Sequence, residues 1–193
     1  MIKIAITGSL ASGKTTASRI ISNRNGPLFC ADECVKKLYS KLSFKKVLKK
    51  KFNIRSNLET KRFIRDKVLK EKGALKKLGK IIHPIVRKKM YFFLKKNKNK
   101  KLLFFEIPLL IENKLTKYFD VIIFVKANKN IRLKRFKLRG GDKKLFSILN
   151  KEQLKDSKKA KLCDHIVVNN KSFLILKNKI LNIMKLYEWN FFR

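Results

Sequence analysis

Residues 8–15, Gly-Ser-Leu-Ala-Ser-Gly-Lys-Thr, match G-x-x-x-x-G-K-[ST] at every fixed position. The short apolar run Ile2–Thr7 precedes them and reads as a buried strand. From Lys14 to about Arg24 the pattern turns helical, with Ala17, Ile20 and Ile21 on one side. A strand running through a tight glycine turn into a helix leaves few options for the rest of the chain. The strand must lie in a sheet, and the helix must cover it.

The residue types of the loop follow from the chemistry of phosphate. Successive backbone N–H groups can turn inward and hold anionic oxygens. The start of the helix adds unpaired N–H donors and the positive end of its dipole. Lys14 is placed to reach the terminal phosphates, and Thr15 offers a hydroxyl to Mg²⁺. Gly8, Ser9, Leu10, Ala11, Ser12, Gly13, Lys14, Thr15 and Thr16 therefore form the candidate nucleotide-binding set. The motif specifies a nucleoside triphosphate and its metal; it leaves the acceptor open.

Beyond the loop, Gly26–Pro27 marks a turn, and residues 28–31 form a second apolar run ending at Asp32. Helical periodicity then dominates from 33 to about 96, and Pro84 is expected to open its last helix. Leu102–Phe105 reads as a strand closing at Glu106, and Asp120–Lys126 contains another. Residues 130–139 read as a helix stopped by Gly140–Gly141, and 143–162 as helical and polar. His165–Val168 is a last strand and 172–187 a last helix. Short strands apolar on both faces, alternating with helices, predict an α/β fold with a parallel sheet. Its core is expected over 1–31, 102–131 and 163–193, with a helical insert over 32–101 and a further segment at about 132–162.

The chain of 193 residues carries 51 basic and 13 acidic residues, a net charge of +38. Such charge alone suggests a nucleic-acid partner. Yet 41 of the basic residues are lysine and only 10 arginine, the residue that forks onto base edges. The lysines are spread along the chain, as a general compositional lean would spread them, and no specific nucleic acid is expected. No apolar run approaches the ~20 residues that cross a bilayer. A cytoplasmic, monomeric protein without membrane attachment is the expectation. Cys30, Cys34 and Cys163 are too few, and odd in number, for a disulfide framework. Asn128–Lys129 begins a guanine-reading N-K-x-D, but Ile131 stands where its aspartate would be. The remaining alternatives are a kinase of a small molecule, whether a nucleoside, a nucleotide or another acceptor, and a charge-driven binder.

Several segments together resemble the dephospho-coenzyme A kinase family of P-loop kinases: ITGSLASGKTT, CADECVKKLY, the pair His83–Pro84, IPLLIEN at Ile107–Asn113, RLKRFKLR at Arg132–Arg139, Gln153, and CDHIVVNN at Cys163–Asn170. The resemblance runs along nearly the whole chain. It implies a P-loop NTPase-type parallel sheet flanked by helices, with a helical substrate-binding insert and a lid at about 132–162. It implies transfer of a phosphoryl group from ATP, with Mg²⁺, to the ribose 3′-hydroxyl of dephospho-coenzyme A. Asp32, Lys14 and Arg139 would be the catalytic residues. Arg135 and Arg139, four apart on one helix face, would meet ATP from the lid. Asp32, His83, Pro108 and Glu112 would serve the acceptor, and Thr15 with Glu106 the metal. Three positions depart from the family pattern. Cys30 stands for the first aspartate of its Asp-Ala-Asp, Gly140–Gly141 for an acidic turn, and Cys163 for an alanine.

Overall fold

The computed structural model describes residues 1–23, 25–54 and 59–188. Five strands form one parallel sheet in the order β2-β3-β1-β4-β5. They are β1 (Ile2–Gly8), β2 (Leu28–Cys30), β3 (Leu102–Glu106), β4 (Val121–Lys126) and β5 (His165–Val168). The helices are α1 (Lys14–Ser22), α2 (Ala31–Tyr39), α3 (Leu42–Phe52), α4 (Thr60–Lys70), α5 (Ala74–Lys96), α6 (Lys129–Leu138), α7 (Lys143–Lys151), α8 (Asp156–Ala160) and α9 (Phe173–Glu188). The chain separates into two compact units. One comprises Met1–Cys30 and resumes at Lys96; the other is Ala31–Lys95.

In the first unit β1 lies at the centre, paired with β3 on one side and β4 on the other. Every residue of β3, and Val121–Val125 of β4, is buried, which explains their unbroken apolar runs. On one face Ile4, Ile6, Phe104, Ile123 and Val125 join Ala17 and Ile21 of α1 and Leu176, Ile180 and Met184 of α9 in a single core. Phe104 is wholly buried there. Truncating such a ring to alanine costs about 3–5 kcal/mol. Because the chain moves from β1 to one side of the sheet and later to the other, the strand order switches beside β1. Open α/β sheets bind their ligands at the carboxyl edge of such a switch.

Among its described residues the second unit is built from helices α2, α3, α4 and α5. Tyr39 and Phe44 meet edge to face at 5.5 Å between α2 and α3, and Lys77 Nζ of α5 lies 5.1 Å from the Phe52 ring of α3.

Three local expectations need correction, and a fourth can be followed only in part. Helix α2 begins at Ala31 rather than at residue 33, so Asp32 sits inside its first turn. There its charge, with that of Glu33, complements the positive end of the helix. Pro84 does not open a helix but lies inside α5. It removes the bond to the Lys80 carbonyl; both residues are exposed, so water can take that partner's place. His83 accordingly stands in mid-helix, packed over Gly79 one turn earlier, where a Cβ would come within 3.3 Å of its ring. The segment 143–162 is two helices, interrupted at 152–155. The first expected helix runs from Lys14 to Ser22; Arg24 lies outside the described residues. Among the described residues no helix is long and apolar enough to cross a membrane.

Candidate active site

The loop after β1 is shaped by steric necessity. A Cβ on Gly8 would fall 2.2 Å from the Val125 carbonyl of the neighbouring strand, so only glycine fits. Ala11 adopts a left-handed φ of 58°. Gly13 caps α1 with φ 100°, and a Cβ there would lie 2.3 Å from Asn169 Nδ2. That amide donates to the Ser12 carbonyl at 2.8 Å. Ser12 N–H donates back to Ser9 O at 3.1 Å. Lys14 is buried, and its Nζ donates to Ser9 O at 3.0 Å. Ser12 Oγ is buried with no hydrogen-bond partner. A buried hydroxyl without a partner in this loop suits a phosphate oxygen.

Beside the loop stands Glu106, the last residue of β3 and fully buried. Thr15 Oγ1 donates to its Oε1 at 2.7 Å; Ser18 Oγ and Cys30 Sγ donate to its Oε2 at 3.2 and 3.1 Å. Sequence reading singles out Thr15 and Glu106 and leaves Ser18 unnoticed. The structure brings all three together with Cys30, the residue that departs from the family aspartate. A threonine hydroxyl and a carboxylate form a hard oxygen pair, the donor chemistry that suits Mg²⁺.

On the lid side, Arg135 Nη1 donates to Asn169 O at 3.1 Å and to Ser12 O at 3.4 Å. Burial, then the neighbouring charge of Arg139, pulls its pKa below the ordinary arginine range. Arg139 is exposed at the end of α6. With Thr15, Thr16, Arg19, Phe173 and Lys177 it lines a cleft of about 1210 Å³. Pro108 presents its carbonyl to Thr7 Oγ1 at 3.2 Å, which fixes the path of the loop after β3. Glu112 is engaged internally: its Oε1 lies 2.6 Å from Lys159 Nζ and accepts Leu154 N–H at 3.0 Å.

Asp32 and His83 belong to the helical unit. Asp32 is exposed in the first turn of α2. Burial, then the charge of Arg87, pushes the His83 pKa below the usual imidazole value.

Sequence reading gives no role to several residues that hold the loop in place. Arg132 is buried and donates to Ala127 O, to Leu10 O and, at 2.7 Å, to Asn150 Oδ1. Burial lowers its pKa while Asp156 opposes the shift. Asn169 could have been found, because it follows the last strand at the ligand edge of the sheet. Asn128, half of the failed guanine motif, instead donates its N–H to Asn170 Oδ1 at 2.8 Å.

A five-stranded parallel sheet whose central strand feeds this loop defines a P-loop kinase fold, a class of ATP-binding phosphotransferases. The chain belongs to the dephospho-CoA kinase family, whose model matches residues 2–174. It is 33% identical over 195 residues to the dephospho-CoA kinase of Rickettsia typhi, covering 97% of this chain and 98% of that protein. The fold matches TT1252 from Thermus thermophilus with a TM-score of 0.76 at 24% identity, over 95% of this chain and 96% of that one. It matches the dephospho-CoA kinase of Campylobacter jejuni with a TM-score of 0.60 at 23% identity, over 95% of each.

Proposed function

We propose that the protein phosphorylates the ribose 3′-hydroxyl of dephospho-coenzyme A with ATP, giving coenzyme A and ADP. The observation that carries this reading is the complete phosphate loop, with Thr15 bonded to a buried Glu106, in a chain matched by the family model almost throughout. The acceptor oxygen attacks the γ-phosphorus as the bond to the β–γ bridging oxygen breaks, and ADP leaves. Asp32 takes the hydroxyl proton. Lys14 follows the charge that spreads onto the transferred oxygens. Thr15 and Glu106 would hold Mg²⁺, which, when bound, neutralises charge on the phosphate oxygens. Arg135 and Arg139 act on the triphosphate from the lid. The helical unit with His83, and the loop at Pro108, serve the acceptor.

The test is a coupled ADP-release assay with Mg·ATP and a panel of acceptors, with the product's phosphate position assigned by NMR. Dephospho-coenzyme A should be turned over fastest, with new phosphate on the 3′-oxygen. Faster phosphorylation of any nucleoside or nucleoside monophosphate would overturn the reading.

A further inference from the structure

Residues 150–159 meet the phosphate loop from about 140 positions away in sequence. Gln153 Oε1 accepts Leu10 N–H at 2.8 Å, and Asp156 Oδ1 accepts the Ser9 hydroxyl at 2.5 Å. Asn150 holds Arg132, whose Nη1 also donates to Leu10 O at 3.3 Å. The Leu10 N–H and the Ser9 side chain thus bond directly to this segment, and the Leu10 carbonyl bonds to Arg132, which Asn150 holds. The segment itself is a short helix and an irregular link, which need an anchor of their own.

Glu112 and Lys159 supply it. Lys159 is fully buried, and its Nζ lies 2.6 Å from Glu112 Oε1. The same oxygen accepts the N–H of Leu154, inside the irregular link. The pair is not saturated: Glu112 Oε2 is buried without a hydrogen-bond partner, and the contact with Lys159 is a charge pair rather than an aligned hydrogen bond. An unsaturated buried ion pair contributes little net stability, since its attraction barely offsets its desolvation. Fixing the register of one segment against another is the better-attested use of such a pair.

We propose that Glu112 and Lys159 are positioning residues of the nucleotide site. They clamp residues 150–159 to the loop after β3, so that Gln153 and Asp156 hold Ser9 and Leu10 in the shape that receives the triphosphate. A loop ordered in advance does not spend binding energy on its own ordering. A displacement of about 1 Å at a reacting centre can cost ~10²-fold in rate. This assignment moves Glu112 from the acceptor to the nucleotide side. It rests on the loop being the ATP site and not on the identity of the acceptor.

The test uses the full chain, with mant-ADP as a fluorescent probe and KM measured separately for ATP and for the acceptor. The variants are Glu112→Gln, Lys159→Met, their double, and Gln153→Leu. Each single change at the pair should weaken mant-ADP binding and raise KM for ATP by roughly 10–100-fold, with KM for the acceptor nearly unmoved. The double variant should be no worse than the worse single, because both remove one clamp. Gln153→Leu alters a half-exposed side chain and leaves the buried pair intact; it should reproduce part of the loss. Unchanged mant-ADP affinity in the single variants, additive losses in the double, or a rise confined to acceptor KM would each overturn the proposal. Should the pair variants fail to fold, Gln153→Leu decides alone, and normal mant-ADP affinity there overturns it. Lost mant-ADP affinity in a protein that ignores dephospho-coenzyme A would uphold the clamp and sink the acceptor assignment.

Discussion

Around the phosphate loop many of the buried side chains are polar; in the helical unit Ala31–Lys95 the buried side chains are almost all apolar. Around the loop Ser9, Ser12, Lys14, Glu106, Arg132, Lys159 and Asn169 are all buried. In the helical unit Cys34, Leu38, Phe44, Leu48, Phe52, Ile64, Val68 and Ile82 fill the interior, with Thr60 as a polar exception. One region is built from buried polar side chains whose contacts set its backbone path. The other is an amphipathic frame that could present many different side chains without changing its interior. Any function it has must rest on a few outward residues, and these can be exchanged one at a time.

The largest expected effect falls in the helical unit, at Asp32. Asp32→Asn keeps the size of the side chain and removes its charge and basicity. The helix loses about 0.3–1 kcal/mol of favourable interaction with its dipole, too little to unfold the protein. If Asp32 receives the acceptor proton, saturated turnover should fall by roughly 10²–10⁴, with nucleotide affinity retained. Thermal unfolding and turnover measured on the same sample check this. Near-normal turnover in a stable Asp32→Asn protein would confine the chemistry to the first unit.

Lys14→Ala comes next, in the other region. Removing one electrostatic stabiliser of developing phosphoryl charge costs ~10²–10³ in kcat. The ammonium is buried against Ser9 O, so its loss also opens a gap in the loop. A kcat close to wild type would take Lys14 out of the mechanism and leave the loop as a binding cradle only.

What could be read from sequence follows the same divide. The loop was legible because its motif is local: Gly8, Gly13, Lys14 and Thr15 stand at fixed offsets, although the atoms that exclude a Cβ at the two glycines, Val125 O and Asn169 Nδ2, come from far along the chain. The strands were legible because both of their faces are buried. What escaped was set by distant partners. Arg132 reaches Leu10 O and Asn150, Gln153 accepts from Leu10 N–H, Asp156 accepts from Ser9, and Lys159 pairs with Glu112, and no spacing within the chain announces such contacts. Arg132 also stood among 51 basic residues, which dilutes any single one. The Pro84 reading failed for a related reason. Proline usually opens a helix, but exposure of Lys80 and Pro84 let α5 run through it.

A pair of glycines sharpens the contrast in stability rather than in rate. Gly8→Ala would drive a Cβ into the Val125 carbonyl at 2.2 Å, a backbone atom of a central strand that cannot move aside cheaply. Overpacking of this kind costs about 3 kcal/mol or more. Gly73, in the helical unit, has φ 90° but nothing within 4 Å of a new Cβ. Gly73→Ala should cost only the left-handed backbone strain, about 1–2 kcal/mol. Urea midpoints at constant slope give both numbers. Equal losses would mean that the loop yields as easily as an exposed turn.

The smallest effect is at Cys163, just before β5, and it concerns pH. Burial, then the charge of Asp164, pushes its thiol up to about 11 from an ordinary value of 9.0. The folded protein therefore keeps the proton that the unfolded chain loses first. Below about pH 9 both states hold the thiol neutral, and its contribution to stability is fully present. As pH rises from 9 towards 11 the unfolded state ionises and the folded state does not, so stability drains away across that window. The wild-type curve alone does not isolate one group. Cys163→Ala, the residue the family pattern has at this place, removes this one group. The unfolding temperature of the wild type should fall further than that of the variant between pH 9 and 11, and the two curves should run parallel below pH 8. Curves parallel over the whole range would show that Cys163 is solvated enough to ionise as readily folded as unfolded. Labelling by a thiol reagent at pH 7.5 gives an independent check, because a thiol held at about 11 is almost wholly protonated there and reacts slowly.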